Sequence, residues 1–558
     1  MSLKNEVRSS TLPTEIQELI LRVVRRTKLR PKEKADVARE LITHFEDAIE
    51  QGGTPTEAIA AYGDEKTAAL LLRKACKRKR WWVEVLFVRA TKYAACGFGC
   101  VVLIYLVMVF FALQREPTIA VDYVAKLNET AAAVPENERA WPMYRKAILA
   151  INKTPQPEVE IDGRPVTPTW VDGAGWDVYE EWILSHRETS NFIREGAMKS
   201  GMGFITSNQI AEEDKELWPE QYEQNQEQSQ HPILTILFPQ LGGLRSMARL
   251  LQFDAFDAAS KGESKRCFED IQAMIRLGRH TQEHSTLIND LVAMAIYNTA
   301  FQTTGKILEK EPKVLLPELN ALKQLLLSLD TELEVRFDGE RMFILDLLQR
   351  TYTDDGNGDG KLVPRNMVEM MSLLYEPSIA SDPTVFLAPF GDLLIASRKE
   401  MLDHYDSYIA LVEKYRSVPL NEWDDAVLEC NRQLESRVGN SFLNKYYFLD
   451  LLMPVLDRAL LAGKYTKASR DGLIATMYAV EAKQGTGSWP TDLTLAGVVD
   501  PWSGEPWSIT TIDSAPKIYS IGIDKDDDNG TYHDKAKEWQ PDFADIPDGD
   551  WVVWPIPE

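Results

Sequence analysis

The segment from Tyr93 to Leu113 most limits how this chain of 558 residues can fold, because it contains no charged side chain. A helix rises about 1.5 Å per residue, so ~20 residues cover the ~30 Å hydrocarbon core of a bilayer. A backbone in lipid must satisfy its own hydrogen bonds, and a helix does so within one segment. The sequence therefore predicts one transmembrane helix over residues 93–113.

The basic residues near this segment lie mainly on its N-terminal side. Six of them fall in one short stretch: Arg73, Lys74, Lys77, Arg78, Lys79 and Arg80. On the other side, Arg115 is followed at once by Glu116. Positively charged flanks stay in the cytoplasm, so we expect a cytoplasmic N-terminus with the remainder beyond the membrane. A signal peptide carries its apolar core near residue 1, so we expect this segment to remain as an anchor.

The two sides of the segment differ in charge. Residues 1–92 hold 19 Lys and Arg against 13 Asp and Glu, whereas residues 93–558 hold 43 against 72. An acidic surface repels nucleic-acid phosphates and attracts divalent cations or basic protein partners. We therefore expect no nucleic-acid partner. A surface that serves only solubility is the alternative interpretation.

Residues 1–80 predict a cytoplasmic helical bundle. Ile16, Leu19 and Val23 recur on one helical face, so their helix needs a partner. Thr54 and Glu57 form a capping-box pattern that marks the start of another helix. Several short amphipathic helices in one stretch indicate a small bundle.

The segment from Val37 to Asp64 contains a helix, a Gly-Gly turn, a second helix that begins with Thr-Pro-Thr-Glu-Ala, and a Gly-Asp end. In this order the features resemble the permease-prefix family of small helical domains, which precede bacterial membrane segments. The resemblance implies a protein-interaction or regulatory module, and it implies no catalytic residue. A cap that only fixes topology is the alternative.

Residues 116–465 predict a large helical domain outside the cytoplasm. Apolar side chains recur at helical spacing over residues 244–258, 267–275 and 287–295. The short breaks between these stretches predict hairpins stacked in a solenoid-like arrangement, although no repeat of fixed period is present. Residues 155–230 have a poorer pattern, and we expect a long excursion that its aromatic side chains hold against the helices.

Residues 355–366 follow the spacing of an EF-hand calcium loop. Asp355, Asn357 and Asp359 occupy positions 1, 3 and 5, and Gly360 occupies the turn position. Lys361 would contribute only its backbone carbonyl. The sequence therefore predicts a calcium site in this loop.

The flanks of this loop fit the motif, but its last position does not. We expect an entering helix over residues 333–351 and an exiting helix from Pro364 to near Leu374. Asn366 stands at position 12, where an EF-hand has a bidentate Glu. Because this removes one carboxylate, a surface turn without an ion is the alternative.

Residues 466–558 change character to Gly, Pro, Trp and short β-prone pieces, which predicts a small α+β module after a helix over residues 469–483. Four segments stand out in order: Trp489-Pro490, Asp500 to Pro506, Tyr519 to Asp524, and Asp550-Trp551. They resemble the C-terminal part of the major pseudopilin of type II secretion systems. The resemblance implies an antiparallel sheet and a bound Ca²⁺. It implies Asp524 as the first ligand and Asp545 or Asp550 as the later one.

The residues of this module support an ion independently. Asp524, Asp526, Asp527, Asp528 and Asp534 crowd one loop, where like charges repel unless a cation or solvent screens them. Ca²⁺ accepts six to eight oxygen ligands, so we expect Asp524, Asp526 and Asp528 among them; a solvated turn is the alternative. Unlike in pseudopilins, the apolar segment lies far upstream and lacks a prepeptidase site, so polymerisation into a pseudopilus is not expected.

Residues 280–284 match the H-x-x-E-H motif of inverted zinc peptidases. In that motif His280 and His284 would bind Zn²⁺ while Glu283 activates water. The pattern is short and falls at a predicted helix end, which favours exposed histidines at a hairpin turn. We therefore assign no catalytic residue, and a zinc-dependent hydrolase stays an alternative function.

Only two cysteines, Cys267 and Cys430, fall in the part predicted beyond the membrane. They allow at most one disulfide there, and buried thiols are the alternative.

The predicted fold class is mostly α: a cytoplasmic bundle, one transmembrane helix, a large helical domain and a small C-terminal α+β module. The whole resembles bacterial single-pass envelope proteins built from these same parts, which implies the inner membrane with most of the chain in the periplasm. We expect a non-catalytic scaffold or protein-interaction protein that binds envelope proteins and is stabilised by one or two Ca²⁺ ions. A transmembrane signalling regulator is a further alternative, and no small-molecule substrate is evident.

Overall fold

The computed structural model describes residues 3–79, 82–224, 232–236, 238–374, 395–423, 456–512, 515–532 and 549–557, together with four isolated positions between 432 and 449. The chain divides into two compact units, Met1–Met108 and Val109–Glu558. The described part is mostly helical with a small antiparallel sheet, which confirms the coarse fold class.

Five helices build the first unit before the apolar helix begins: α1 (Leu3–Arg8), α2 (Thr14–Arg26), α3 (Pro31–Glu50), α4 (Pro55–Tyr62) and α5 (Glu65–Arg78). Their apolar faces form one core, in which Ile16, Val23 and Phe45 are almost fully buried. The predicted capping box is present, because the Thr54 amide donates to the Glu57 carboxylate at 3.0 Å. These five helices therefore pack around one shared apolar core.

Helix α6 (Trp82–Leu113) contains the apolar segment. Its residues Ala90–Leu113 are long and apolar enough to cross a membrane, and only 6% of the most apolar window is buried. Length and composition alone support a span here.

The second unit continues with helices up to the loop at residue 355: α7 (Tyr123–Leu127), α8 (Glu129–Ala133), α9 (Trp141–Lys153), α10 (Trp176–Ser185), α11 (Arg187–Ala197), α12 (Pro219–Gln224), α13 (Gln240–Ser260), α14 (Ser264–Thr281), α15 (Leu287–Lys310), α16 (Pro312–Leu315), α17 (Leu319–Leu327) and α18 (Asp338–Thr351). In the residues that the structure describes after that loop, the helices are α19 (Pro364–Leu374), α20 (Arg398–Arg416) and α21 (Leu456–Thr486). The three stretches with helical periodicity lie in α13, α14 and α15, as predicted.

The region 155–230 is more regular than expected, because it contains α10, α11, α12 and a hairpin of β1 (Val159–Ile161) with β2 (Arg164–Val166). Its aromatic side chains do hold it against the helices. Tyr179 packs on Phe253 with ring centroids 4.6 Å apart, and Trp170 meets Phe256 at 5.2 Å. The aromatic contacts expected from the sequence are therefore present, and part of this excursion is regular secondary structure.

The main core of the second unit lies among α13, α14, α15 and α21, which pack against one another in sequence. The same cluster includes Ile518 and Trp554 from the C-terminal sheet and Trp507, which directly precedes β3. The sheet therefore shares its core with the helices and does not enclose a separate one.

The C-terminal sheet has three antiparallel strands in the order β3 (Ser508–Ile512), β4 (Ala515–Ser520) and β5 (Trp551–Trp554). Ser508 pairs with Tyr519 and Ser520 pairs with Trp551, with a register shift at Ile518/Tyr519. Helix α21 begins at Leu456, well before the predicted start at 469. The acidic loop leaves the sheet at the end of β4, and the chain returns to the sheet at β5.

Candidate metal centre

The loop after β4 is held close to the start of β5 by backbone contacts. Tyr532 and Asp550 form a bridge, and the Asp550 amide donates to the Thr531 carbonyl at 2.8 Å. Gly522 has φ +73°, and a Cβ there would lie 3.2 Å from the Gly549 carbonyl oxygen. The close approach of these two chain segments therefore favours glycine at position 522.

Three predicted ligands come together in this loop. Each of Asp524, Asp526 and Asp528 offers one carboxylate oxygen, and these three oxygens all lie within 4.8 Å of one another. In the described part of the chain, this is the one group of three or more acidic, His or Cys side chains that is so arranged. The structure therefore brings together three of the residues that the sequence predicts as metal ligands.

Asp550 is fully buried and lies near Asp528, whose charge acts on the Asp550 carboxylate. Its Oδ2 accepts a hydrogen bond from the Gly530 amide at 2.6 Å, and its Oδ1 is buried without a hydrogen-bond donor among the described residues. Asp524 has the same pattern, because Oδ2 accepts from the Gly549 amide at 2.7 Å while Oδ1 is buried and unsatisfied. A buried carboxylate oxygen without a donor is costly, so both oxygens are suited to a cation.

Burial raises the pKa of Asp550 to about 6, and the negative charges of Asp527 and Asp528 add to the rise. Burial likewise raises the pKa of Asp524, with smaller contributions from Asp526 and Asp528. These carboxylates therefore repel one another in the structure as it stands. A divalent cation would relieve this repulsion and hold the groups ionised.

Not every acid of the loop belongs to this group. Asp527 accepts hydrogen bonds from the Tyr519 hydroxyl at 3.0 Å and from the Asn529 amide at 2.9 Å. Asp545 and Asp534 lie outside the described residues. Asp527 is thus a turn-forming residue, which the count of acids in the sequence could not distinguish from the others.

Asp500 is a buried acid. From the sequence it was only the first residue of a segment that resembles the pseudopilin, and it had no predicted role. It accepts hydrogen bonds from the Ser520 hydroxyl at 2.6 Å and from the Trp502 amide at 3.1 Å. These bonds connect the turn at residue 500 to the end of β4. Asp500 therefore positions the strand from which the acidic loop leaves.

The EF-hand-like loop is flanked as predicted by α18 and α19, although α18 begins five residues later than expected. Its backbone closes as a tight turn, because the Thr353 amide donates to the Lys361 carbonyl at 3.0 Å. The Lys361 carbonyl therefore already has a hydrogen-bond donor. Asn366 turns to the entering helix, where its Nδ2 donates to the Arg350 carbonyl at 3.0 Å.

The side chains of this loop bind backbone amides. Asp355 Oδ1 accepts from Asn357 and Asp359 at 2.8 and 3.1 Å. Asp359 Oδ1 accepts from Gly360 at 2.8 Å and from Lys399, in the first turn of α20, at 3.1 Å. These hydrogen bonds give both aspartates a structural role in a surface turn, and that role needs no bound ion.

The H-x-x-E-H residues do not lie on one exposed helical turn. Helix α14 ends at Thr281, and His280 and His284 are 6% and 0% exposed, so the expectation of exposed histidines was wrong. Burial lowers the pKa of each to about 4. Both imidazole rings are therefore neutral at pH 7, and both lie in the protein core.

Each histidine has its own structural partners. His280 Nδ1 accepts from the Tyr144 hydroxyl at 2.8 Å, and Nε2 donates to the Lys199 carbonyl at 3.2 Å. His284 Nε2 donates to Asn128 Oδ1 at 3.1 Å. Glu283 accepts from the amides of Met202 and Gly203 at 2.6 and 2.7 Å. In the described residues, this arrangement joins helix α14 to the segment around residue 202 and gathers no zinc ligands.

Cys267 is a free thiol that is fully buried in α14. Burial raises its pKa well above the ordinary value. Its predicted partner for a disulfide, Cys430, lies outside the described residues. Cys267 therefore behaves as a small apolar core residue.

No protein-family model, curated protein sequence or solved structure matches this chain. The permease-prefix and pseudopilin resemblances therefore stay predictions. What bears on function is the geometry of the acidic group itself, in which Asp524, Asp526 and Asp528 converge next to the buried Asp550.

Proposed function

We propose that the protein is a membrane-anchored scaffold or protein-interaction protein whose C-terminal module is stabilised by one Ca²⁺ ion. The observation that carries the proposal is the convergence of Asp524, Asp526 and Asp528 beside Asp550. Oδ1 of Asp524, in this group, and Oδ1 of the neighbouring Asp550 are buried without a donor among the described residues. A turn stabilised by solvent alone would not require buried oxygens in this state.

The donor set suits calcium because all four side chains offer hard oxygen ligands. Ca²⁺ tolerates irregular coordination with six to eight oxygens, whereas Mg²⁺ demands a near-octahedral arrangement. Asp524, Asp526, Asp528 and Asp550 would hold the ion. When bound, the ion would supply the positive charge that these carboxylates lack and would fasten the loop to β5.

A membrane anchor with the C-terminal module outside the cytoplasm is consistent with this role. The apolar helix α6 is preceded by six basic residues between Arg73 and Arg80, which favours a cytoplasmic N-terminus. The larger part of the chain would then meet extracellular-type calcium levels, which suit weak sites of this kind. We propose the bacterial inner membrane with a periplasmic C-terminal part, and envelope proteins as partners.

The absence of a converging catalytic group in the described residues favours this role over a zinc hydrolase. His280, Glu283 and His284 each bind a different structural partner. The compact N-terminal unit has its own core, so it would serve as a cytoplasmic docking module for a further protein.

The test is thermal unfolding of the full chain in detergent, with Ca²⁺ or with a chelator. Calcium at about 100 times its Kd should stabilise the folded state by about 2.7 kcal/mol, which raises the melting temperature. The variant Asp526→Asn should reduce the response. Asp527→Asn is the matched control, since Asp527 is equally exposed and adjacent but binds Tyr519. A melting temperature that ignores both calcium and chelator would overturn the proposal.

A further inference from the structure

A cleft of about 300 Å³ lies where the sheet meets the helical core. Its walls come from α15, from α21 and from β5 with the residues that follow it. The cleft is distinct from the acidic group, because none of Asp524, Asp526, Asp528 and Asp550 lines it. Its volume falls at the lower end of the range of small-molecule sites in proteins.

Aromatic rings form the apolar part of the cleft, and their positions are fixed. The Trp554 Nε1 donates to the Gly305 carbonyl at 3.0 Å. Trp551 meets the Trp502 ring edge-on at 5.3 Å and the Tyr465 ring at 6.0 Å. Trp554 is buried and helps to hold β5 in place, whereas the partly exposed Trp551 is a preformed surface that needs little reorganisation when a ligand binds.

The polar part of the cleft consists of amides and hydroxyls. Asn298 is oriented by a 3.0 Å hydrogen bond from its Nδ2 to Thr466 Oγ1. Thr476 is buried and donates its hydroxyl to the Gly472 carbonyl at 2.9 Å. Within the described ranges, the side chains of Gln302 and Ser469 make no hydrogen bond, so both are available to a ligand.

The cleft carries no charge at neutral pH, although the chain has a net charge of −23. A phosphate or carboxylate ligand would lack a cationic partner there, and burying an unpaired charge is costly. A wholly apolar ligand would leave Asn298, Gln302 and Ser469 without the hydrogen bonds that water gives them. The lining therefore favours a neutral ligand that has an apolar face and several hydroxyl or amide groups.

We propose that this cleft binds an uncharged saccharide unit. The C–H face of a pyranose ring packs on aromatic side chains, and its hydroxyls both donate and accept hydrogen bonds. Gln302 and Ser469 would bind these hydroxyls, while the partly exposed ring of Trp551 would supply the stacking surface. This inference does not depend on calcium, because the cleft is formed by helices and β5 without any acidic side chain.

The test is a titration of the full chain, in a polyoxyethylene detergent that has no sugar headgroup, with the neutral disaccharide N,N′-diacetylchitobiose and with cellobiose. Saturation-transfer NMR and tryptophan fluorescence should report saturable binding of one of them in the millimolar range or tighter. A phosphorylated sugar should bind at least about tenfold more weakly.

Two variants connect the binding to this cleft. Gln302→Ala and Ser469→Ala should each weaken it about three- to tenfold, because each removes a hydrogen bond to the ligand. Gln324→Ala is the control, since Gln324 is exposed on α17 and does not line the cleft. No saturable binding of either disaccharide, or binding that both cleft variants leave unchanged, would overturn the proposal.

Discussion

The Glu283 carboxylate accepts a hydrogen bond from the backbone amide of Met202 at 2.6 Å, across 81 positions of sequence. Its second oxygen accepts from Gly203 at 2.7 Å. A Cβ at Gly201 would collide with the same carboxylate, so only glycine allows this approach. The glutamate of an apparent catalytic motif is thus a structural acceptor that orders a loop.

We predict that Glu283→Gln lowers the free energy of unfolding by about 1–3 kcal/mol, because the side-chain NH2 group of Gln cannot accept and so leaves one of the two backbone amides without an acceptor. Chemical denaturation with and without added zinc measures the effect. Glu481→Gln is the control, since Glu481 is exposed on α21. Stoichiometric zinc that is lost in the Glu283 variant would contradict the structural role.

The histidine pair predicts acid sensitivity. The pKa of His280 and of His284 is about 4 in the folded protein, against about 6.5 in the unfolded chain. Their contribution to stability is therefore complete above pH 6.5 and is lost as the pH falls towards 4. Between pH 6.5 and pH 4, protonation of each histidine should lower the free energy of unfolding by on the order of 2–3 kcal/mol.

This pH dependence can be measured by denaturation at pH 7, 6 and 5. Replacing His284 with Gln should flatten it, because the titrating group is removed while an amide can still bind Asn128. His44→Gln, at an exposed position of the first unit, is the comparison. Equal pH dependence in all three proteins would show that these buried rings are not responsible.

A third prediction concerns the loop at residue 359. Asp359→Ala should lower stability by about 0.5–2 kcal/mol, because it removes an acceptor from the first turn of α20. The loss should be the same with calcium and with chelator. Asn357→Ala, at an exposed position of the same loop, should have little effect. A loss that appears only in calcium would instead indicate an ion in this loop.

Arg194 gives a fourth prediction, because it bridges two buried acids. Its guanidinium binds Asp254 at 3.0 Å and also binds Asp270, which is fully buried. Burial raises the pKa of Asp270 despite this partner. Arg194→Met should destabilise the fold by about 3–5 kcal/mol, because it leaves the buried Asp270 carboxylate without its hydrogen-bonded cation, whereas Asp254 keeps Arg266 at 3.9 Å.

The double variant Arg194→Met with Asp270→Leu should recover part of this loss, since replacing both charges by apolar groups removes the unpaired carboxylate. Urea denaturation of the three proteins gives the comparison. No recovery in the double variant would show that packing, and not charge, dominates at this site.

The helices that the sequence predicted well are those with a regular apolar spacing. Helices α13, α14 and α15 fall on the three predicted stretches, and α18 and α19 flank the loop at 355. Apolar periodicity is a local property that any partner surface can satisfy, so it is visible without knowledge of the fold.

Polar residues were harder to interpret, because their partners are distant in sequence. His284 meets Asn128 across 156 positions, and Asp359 meets Lys399 across 40. A motif of a few residues contains no information about such contacts. The acidic group at 524–528 was predictable because its three members lie within one short loop, whereas the burial of Asp550 beside it depends on the sheet.

Helix α21 runs for 31 residues without a break. It packs against both the helical core, at α15, and the C-terminal sheet, at β4 and β5. Its Leu473, Ile474 and Met477 lie in the same apolar cluster as Leu244 of α13 and Trp554 of β5. The C-terminal strands consequently do not form an independent domain. Removing them would expose the apolar side of α21 that packs against them. A fusion protein that carries these strands must therefore also carry α21. The protein to which they are joined must bury the face of α21 that packs on α15 in this chain.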